Sequence, residues 1–256
     1  MLLNGKTCII AGSAAPQGIG RATARLFAEH GAQLVLADRS SSEQLANDFI
    51  KDVKADGGIT PSIIAVACDI TKPDQCAHLV ACAEAEFGTF DVLVNSAGVV
   101  ETRSLLDTEA ADLDLMIDVN LKGAFNLCQA ALRHFAPRNS GVIVNLASLA
   151  AQRGGGLVGG AHYASAKGGV ISLTRSIARE FGPLGIRANV ICPAMAQTGM
   201  LNGISDDELN AIRGSIPLRR LAMPREVAGA CLFLASELSS FVTGATLDVN
   251  GGLHIH

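Results

Sequence analysis

Two residues with complementary proton chemistry, Tyr163 and Lys167, stand four positions apart in the stretch Ala161-His-Tyr-Ala-Ser-Ala-Lys-Gly-Gly169. In a helix, residues at this spacing project from the same face, so that a phenol would lie beside an ammonium. The unperturbed pKa of a tyrosine is about 10, which is too high for a good general base near neutral pH. A neighbouring positive charge favours the phenolate. We therefore expect Lys167 to lower the pKa of Tyr163 and the pair to transfer protons.

A tyrosine and a lysine at this spacing, without any other motif, are more often an exposed tyrosine beside a solvated lysine. Three features favour chemistry in this chain. Tyr163 is the only tyrosine in the sequence, and small residues surround it, which would let a ligand or another backbone approach closely. A glycine-rich pattern suited to binding a dinucleotide also precedes it in the chain.

Short apolar runs alternate with longer helical patterns, and this order predicts an α/β fold with a doubly wound parallel sheet. The layers would be α/β/α, as in a Rossmann fold, in a single domain over residues 1–256. The predicted strands are 7–11, 33–37, 62–68, 91–95, 142–146, 187–192 and 245–249. The predicted helices are one that ends near Gly31 and those at 43–54, 73–87, 109–119, 121–135 and 161–181. The glycine-rich patch 154–160 and the region 194–215 are expected to form loops over a site.

The overall composition excludes several classes of partner. The net charge of −4 provides no basic field for nucleic acid or for an anionic membrane, and the absence of Trp argues against base-stacking surfaces. No apolar run approaches the length of a membrane-spanning helix, and we expect a cytoplasmic protein. Hydrophobic residues make up 49% of the chain and charged residues 17%, which favours burial between subunits.

The cysteines and histidines do not form a metal-binding pattern. Seven cysteines are scattered without CxxC spacing, which indicates reduced and mostly buried thiols, and no metal site is predicted. The pair His254 and His256 near the end of the sequence is the one alternative, since it could meet a metal ion or a second copy of the chain.

The glycine-rich turn between the first strand and the first helix is the predicted phosphate site. Gly12 ends the strand, while Gly18 and Gly20 open the helix, so that backbone amides and a helix N-terminus could face a pyrophosphate. Asp38 ends the second strand, where a carboxylate can accept hydrogen bonds from the adenosine ribose and would repel a 2′-phosphate. NAD is therefore favoured over NADP, although Arg39 could tolerate the extra phosphate. Asp38 could instead be a simple turn residue.

Several further motifs follow the glycine turn in a characteristic order. They are Ala11-Gly12 with Gly18-Ile19-Gly20, Asp69, Asn95-Ser-Ala-Gly98, Asn120, Ser148, Tyr163 with Lys167, and Pro193 with Thr198. From about residue 6 to residue 252 this order resembles the single-domain short-chain dehydrogenase/reductases, with their TGxxxGxG, NNAG, YxxxK and PGxxxT motifs. The glycine turn and the stretch between Ser148 and Tyr163 are each two residues longer than is usual in that family.

The resemblance implies a role for each matching residue. The implied catalytic set is Asn120, Ser148, Tyr163 and Lys167. The implied dinucleotide contacts are Gly12, Gln17, Gly18, Ile19, Gly20, Asp38, Arg39, Asp69, Ile70, Asn95, Ala97, Gly98, Tyr163, Lys167, Pro193 and Thr198. Tyr163 would exchange a proton with the substrate oxygen, Ser148 would donate a hydrogen bond to that oxygen, and Asn120 would hold a water that relays protons from Lys167.

These roles give a leading hypothesis and two alternatives. The leading one is an NAD(H)-dependent oxidoreductase that interconverts a secondary alcohol and a ketone, with a small-molecule substrate and a homotetrameric assembly typical of the family. Residues 216–252 resemble 3-oxoacyl carrier-protein reductases, which implies an NADPH-dependent reductase of 3-oxoacyl thioesters as the first alternative. The second is a dinucleotide-binding sensor without catalysis. Gln152, Arg153 and His162 could line the substrate pocket, with Met195, Met200 and Leu201 in a mobile lid.

Overall fold

The computed structural model of the chain describes residues 1–40, 43–55, 61–156, 158–199 and 205–256. Within them, a seven-stranded sheet has the order β3-β2-β1-β4-β5-β6-β7, and each neighbouring pair of strands is parallel. The strands are β1 (Thr7–Ala11), β2 (Gln33–Asp38), β3 (Ile63–Ala67), β4 (Val92–Asn95), β5 (Gly141–Leu146), β6 (Ile186–Pro193) and β7 (Thr246–Val249). This is the doubly wound α/β fold predicted from the sequence.

Helices cover both faces of the sheet. They are α1 (Ile19–Glu29), α2 (Glu43–Ala55), α3 (Pro73–Phe87), α4 (Ala110–Ile117), α5 (Gly123–Phe135), α6 (Ala150–Arg153), α7 (Ala161–Phe181), α8 (Asp206–Ser215) and α9 (Pro224–Ala235). No helix among the described residues is long and apolar enough to cross a lipid bilayer.

The continuous apolar runs form strands because both faces of a parallel sheet are buried. Alternate residues of β1 point to opposite sides, so that Ile9 packs in the core under α3, α5 and α7, whereas Ile10 packs with Phe27 of α1 and Leu232 of α9. Fully burying a side chain of this size stabilises the fold by about 1.5–3 kcal/mol. These two cores hold the strand ends, and hence the residues that follow them, in fixed positions.

The strand order reverses between β1 and β4, and this reversal creates the crevice that positions the site. β1 pairs with β2 on one side and with β4 on the other. Chain connections therefore leave the sheet in opposite directions at this point, and the carboxyl ends of β1 and β4 border an open groove. Gly12 follows β1, and Asn95 is the last residue of β4, so both lie at the mouth of the groove.

The predicted elements agree with the structure to within about one residue at most boundaries. β1, α3 and α7 have the bounds that the sequence predicted, and the other predicted strands differ by a single residue at one or both ends. Helix α9 was not identified, although Pro224 at its first position and Glu226 three residues after Met223 are readable start signals.

The two helical stretches predicted at about 109–119 and 121–135 are confirmed as α4 (Ala110–Ile117) and α5 (Gly123–Phe135), but the turn that joins them was not predicted. α4 and α5 form one continuous helical path that passes through a π-helical turn at Asp118–Lys122, and the residues on both sides of the turn keep right-handed helical dihedrals. The backbone N–H of Gly123 bonds to the carbonyl of Asp118, five residues earlier, as a π turn requires. The predicted break at residue 120 falls inside this turn.

The prediction that region 194–215 is a loop was wrong over its second half. Residues 206–215 form α8, which begins with a capping box in which Ser205 Oγ accepts the N–H of Glu208 and the Glu208 carboxylate accepts the N–H of Ser205. This Ser-x-x-Glu signal was present in the sequence. Met200 and Leu201, which were predicted to belong to a lid, lie outside the described residues.

Candidate active site

A cavity of about 1000 Å³ lies along the carboxyl edge of the sheet, over the crevice between β1 and β4. Its wall at one end includes Asp38, the last residue of β2, and Arg39, which follows it, and at the other end Ser148, Tyr163 and Lys167. Residues separated by more than 100 positions in the sequence thus share one cavity, which is of a size suited to a dinucleotide together with a small substrate.

The glycine turn is packed too closely for side chains. Gly12 has φ of 79°, and a Cβ atom at this position would lie 2.5 Å from the backbone nitrogen of Ala97. A Cβ at Gly20 would collide with the carbonyl oxygen of Gly12. Only glycine satisfies both constraints, and the tight turn brings the start of α1 against the crevice.

The N-terminus of α1 has no partner from a side chain. Gly18 is its N-cap residue, no side chain caps the helix, and its first turn contains no acidic residue. The first backbone N–H groups of a helix lack partners within the helix and carry partial positive charge, which attracts a phosphate. This helix start therefore fits the pyrophosphate of a dinucleotide.

Three charged residues line the end of the cavity beyond the glycine turn. Asp38 accepts a hydrogen bond of 3.2 Å from the backbone N–H of Ala14, which holds its carboxylate beside the glycine turn. Asp69 accepts hydrogen bonds from the hydroxyl and the backbone N–H of Thr71 at 2.8 and 3.0 Å. These bonds, aided by the charge of Arg39, keep the pKa of Asp69 below its ordinary value.

Most of the residues predicted to contact the dinucleotide share the wall of this cavity. They are Gly12, Gly18, Ile19, Asp38, Arg39, Asp69, Ile70, Ala97, Gly98, Tyr163, Lys167, Pro193 and Thr198. Three others lie elsewhere. Gln17 is exposed and borders a neighbouring cavity, Gly20 packs on Gly12, and the buried Asn95 accepts the N–H of Ala97 at 3.2 Å. Gly20 and Asn95 therefore shape the turns that carry the contacts.

Tyr163 and Ser148 meet at the inner end of the cavity. Tyr163 lies in the first turn of α7, and Ser148 follows β5, where its Oγ accepts the N–H of Ala150 at 3.1 Å. The Ser148 hydroxyl also lies near the Tyr163 phenol and acts to lower its pKa, which favours the phenolate. Gly159 packs against the tyrosine ring, where a Cβ would overlap Cδ1. The phenol is therefore held beside the Ser148 hydroxyl in the wall of the cavity.

The structure corrects the expected effect of Lys167 on Tyr163. Burial raises the pKa of Tyr163 above its ordinary value, and the nearby Ser148 hydroxyl only partly opposes that rise. Lys167 is 6% exposed, and burial lowers its own pKa to about 8. Both side chains are buried in the folded protein, and the loss of hydration disfavours the charged form of each. The sequence predicted the spacing of Tyr163 and Lys167 but not how deeply the two side chains are buried.

Asn120 is held by the π turn that joins α4 to α5. Its side-chain nitrogen donates to the carbonyl oxygens of Val99 at 3.0 Å and Met116 at 3.1 Å, and its side-chain oxygen accepts the N–H of Val99 at 3.2 Å. The carbonyl of Met116 would accept from the backbone of residue 120 in a regular α-helix. The side chain takes over that bond, and the wide turn brings Asn120 to the loop after β4.

The side chains of Asn120 and Lys167 both lie close to Gly98. A Cβ at Gly98 would lie 2.7 Å from Oδ1 of Asn120 and 3.2 Å from Nζ of Lys167. The ammonium also donates a hydrogen bond of 2.9 Å to the carbonyl oxygen of Leu146. All four residues of the predicted catalytic set therefore line one cavity and converge at its inner end.

Several residues in the cavity wall were not predicted from the sequence. They are Ala15, Leu115, Val119, Ile212 and Leu253, with Cys68 near the Asp69 end. Arg153 lines the cavity as expected, whereas Gln152 and His162 are not in its wall, and Met195, which was predicted to belong to a lid, also lines it. His162 is 3% exposed, and neither of its ring nitrogens has a hydrogen-bond partner among the described residues. Only long-range packing brings Ile212 and Leu253 here, and no local pattern predicts that.

Fold and site together form a doubly wound α/β protein whose cavity has a tyrosine and a lysine at one end. The family described as "Enoyl-(Acyl carrier protein) reductase" matches residues 12–254. An uncharacterized short-chain type dehydrogenase/reductase of Sinorhizobium fredii is 41% identical over 262 residues, covering 100% of both chains. The 3-oxoacyl-[acyl-carrier-protein] reductase FabG of Thermotoga maritima is 36% identical over 255 residues, again covering 100% of both.

A solved structure gives the same result. The crystal structure of a Brucella melitensis protein, described as "Short-chain dehydrogenase/reductase SDR:Glucose/ribitol dehydrogenase", superposes with a TM-score of 0.87 at 35% identity. The alignment covers 99% of this chain and 98% of that one. The chain belongs to the short-chain dehydrogenase/reductase family of oxidoreductases, which use a nicotinamide dinucleotide.

Proposed function

We propose that the protein is an NAD(H)-dependent oxidoreductase that interconverts a secondary alcohol and a ketone, with Tyr163 as the general acid and base. The observation that carries this proposal is the shared cavity, with Ser148, Tyr163 and Lys167 at one end and Asp38 at the other. The same wall joins a proton-transfer group to a carboxylate suited to the hydroxyls of an adenosine ribose.

The proposed cofactor contacts follow the cavity wall. The uncapped start of α1 would hold the pyrophosphate, Asp38 the adenosine ribose, and Lys167 the ribose next to the nicotinamide. Pro193 and Thr198, at and after the end of β6, would hold the carboxamide. When bound, the nicotinamide supplies or accepts the hydride.

The chain's own residues would manage the proton and the developing charge. In the reducing direction the phenol of Tyr163 gives its proton to the carbonyl oxygen, and the raised pKa keeps that proton in place until the oxygen becomes basic. Ser148 would donate a hydrogen bond to the same oxygen and stabilise its growing negative charge. Asn120 and Lys167 lie together beside Gly98, where a water held by Asn120 would return a proton from solvent.

A reductase of 3-oxoacyl thioesters that uses NADPH is the second candidate. Its support is the similarity to FabG of Thermotoga maritima, at 36% identity over the full length of both chains. Arg39 is exposed and lines the cavity, where its guanidinium could pair with a 2′-phosphate. Asp38, in the same wall, opposes that reading because its carboxylate would repel the phosphate.

We also propose a homotetramer in the cytoplasm. Large apolar side chains stand exposed near α4 and α5, including Leu106 at 95% and Phe125 at 51%, and Phe241 is fully exposed beyond α9. Exposed apolar groups of this size favour burial between copies of the chain. Sedimentation velocity would give the mass of the assembly, and a monomer at micromolar concentration would contradict this assignment.

Binding of the two dinucleotides, followed by turnover, tests the main proposal. We expect NADH to bind the purified protein more tightly than NADPH, and we expect NAD(H)-linked turnover of some member of a panel of secondary alcohols and ketones. Tyr163→Phe should lower kcat at least about 100-fold, because general acid–base catalysis contributes about 10²–10⁴-fold, while leaving the affinity for NADH nearly unchanged.

Three other outcomes would redirect the assignment. Tighter binding of NADPH, together with reduction of a 3-oxoacyl thioester, would replace the main proposal by the second candidate. Tight binding of either dinucleotide without any turnover would favour a sensor. Turnover that survives Tyr163→Phe would remove the proposed acid and base from the mechanism.

A further inference from the structure

Three side chains capable of binding a metal ion converge at the end of the described chain, outside the catalytic set. They are Asp248 of β7 with His254 and His256, and their ligand atoms all lie within 4.8 Å of one another. Nε2 of His256 is 3.0 Å from Oδ2 of Asp248, and the two imidazole rings meet edge to face with centroids 4.7 Å apart. A carboxylate with two imidazoles is a donor set that suits zinc and its neighbours in the first transition row.

The spacing of these atoms fits a small coordination shell. With metal–ligand bonds of about 2.0–2.1 Å, the ligand atoms of a tetrahedral shell are about 3.3 Å apart. The observed 3.0 Å between Asp248 and His256 is close to that value. The turn that carries the histidines is fixed from within, because the side chain of Asn250 donates to the carbonyl of His254 at 3.0 Å and accepts the N–H of Gly252 at 2.9 Å.

Gln152 of α6 orients the carboxylate of this cluster. Its Nε2 atom donates a hydrogen bond of 2.8 Å to Oδ1 of Asp248 and lies 3.2 Å from Nε2 of His256. Oδ2 of Asp248 is thereby directed at His256, 3.0 Å away. Carboxylates that bind metal ions are themselves held by hydrogen bonds of this kind from outer-shell partners.

We propose that Asp248, His254 and His256 bind one Zn²⁺ ion in a four-coordinate site with water as the fourth ligand, and that Gln152 holds the Asp248 carboxylate in place. Through Gln152 the site would be linked to α6, the short helix that begins two residues after Ser148. Arg153 of α6 already donates a hydrogen bond of 3.1 Å to the carbonyl of Leu253, and both residues line the large cavity. Zinc would thus brace one wall of the cavity from outside while taking no part in the hydride chemistry.

The test uses the full-length protein, produced without a histidine tag and treated with a chelator. Titration with Co²⁺ should give the visible absorption of a four-coordinate ion at one equivalent per chain, and Zn²⁺ should displace it. Zn²⁺ should also raise the Tm, because a ligand that binds only the folded state stabilises it. Asp248→Asn and His254→Gln should each abolish the spectrum and the rise in Tm. Gln152→Ala should weaken the affinity by about 10- to 100-fold, since loss of an outer-shell partner has that effect.

His78→Gln is the matched control, because His78 is exposed on α3 and far along the sequence from the site. Its zinc affinity should equal that of the wild type. Absence of stoichiometric Co²⁺ binding would overturn the proposal, as would unchanged affinity in His254→Gln. Tyr163→Phe separates this proposal from the proposed function, since that variant should lose turnover and still bind zinc like the wild type.

Discussion

The ammonium of Lys167 donates a hydrogen bond of 2.9 Å to the carbonyl oxygen of Leu146, the last residue of β5. This bond ties α7, which carries Tyr163, to the strand that Ser148 follows. The ammonium is buried, and no carboxylate contributes to its pKa, which burial lowers to about 8. The fold therefore holds the ammonium of Lys167 in surroundings where it loses its proton at a pH only slightly above neutral.

The depressed pKa of Lys167 predicts a dependence of stability on pH. Below pH 8 the lysine is charged in the folded and the unfolded chain, so the folded state carries the full penalty of burying the charge. Between about 8 and its ordinary value of 10.5 the unfolded chain binds more protons, and the free energy of unfolding contributed by Lys167 rises with pH. Relative to Lys167→Met, the wild type should gain up to about 3 kcal/mol across this window.

Urea unfolding of both proteins at intervals between pH 7 and pH 10.5 measures this difference. Lys51→Met, in which an exposed lysine of α2 is lost, is the matched control. A difference between wild type and Lys167→Met that stays constant over the window would show that burial does not depress the pKa of Lys167.

Asn120 should contribute to stability well beyond one hydrogen bond. Asn120→Leu keeps the approximate volume but leaves the buried carbonyl of Met116 and the part-buried N–H and C=O groups of Val99 without this partner. A buried group left unsatisfied costs about 1–3 kcal/mol and a part-buried group costs less, so we expect a loss of about 2–3 kcal/mol in the free energy of unfolding. Asn126→Leu is the control, because the Asn126 side chain makes a single hydrogen bond of 3.0 Å, to Ile70. Equal losses in the two variants would contradict the bridging role of Asn120.

Adding one methyl group at either of two glycines near the site should have opposite effects on the protein. In Gly98→Ala the new Cβ would lie 2.7 Å from Oδ1 of Asn120 and 3.2 Å from Nζ of Lys167, so both groups must move. We expect kcat/KM to fall at least about tenfold, since small displacements of catalytic groups have large effects. Gly168, inside α7, has no neighbouring atom within 4 Å of a Cβ. Gly168→Ala should therefore raise the free energy of unfolding by about 0.5–1 kcal/mol. Steady-state kinetics and urea unfolding of both variants test the pair, and full activity in Gly98→Ala would show that the loop yields easily.

Asp38 should set the choice between the two dinucleotides. Asp38→Asn removes the charge and keeps an oxygen that can accept the N–H of Ala14. The repulsion between a carboxylate and a 2′-phosphate about 4 Å away lies between about 1 and 4 kcal/mol. The ratio of the Kd for NADPH to the Kd for NADH should therefore fall by about tenfold or more. Isothermal titration of both dinucleotides gives the ratio, and an unchanged value would mean that Asp38 does not face the 2′ position.

Local sequence patterns predicted the strands, the glycine turn and the Tyr163–Lys167 pair, because each depends on residue types at short spacing. The pKa values of that pair could not be predicted, because they depend on burial by residues distant in the sequence. The π turn was missed for a similar reason, since it forms around side-chain bonds from Asn120 to Val99, more than 20 positions earlier. The start of α8 at Ser205 and Glu208 could have been read from its capping box.

The π turn at Asp118–Lys122 also makes the length of this helix part of the site. A π turn holds one residue more than the α turn that could replace it. Deleting one residue there would leave an unbroken α-helix with better local hydrogen bonding, yet it would rotate all that precedes it by about 100° relative to α5. Leu115 and Val119 would then leave the cavity wall. The same rotation would move the buried Met116 of α4 out of the core. The number of residues in this segment is therefore set both by the packing of α4 and by the shape of the cavity.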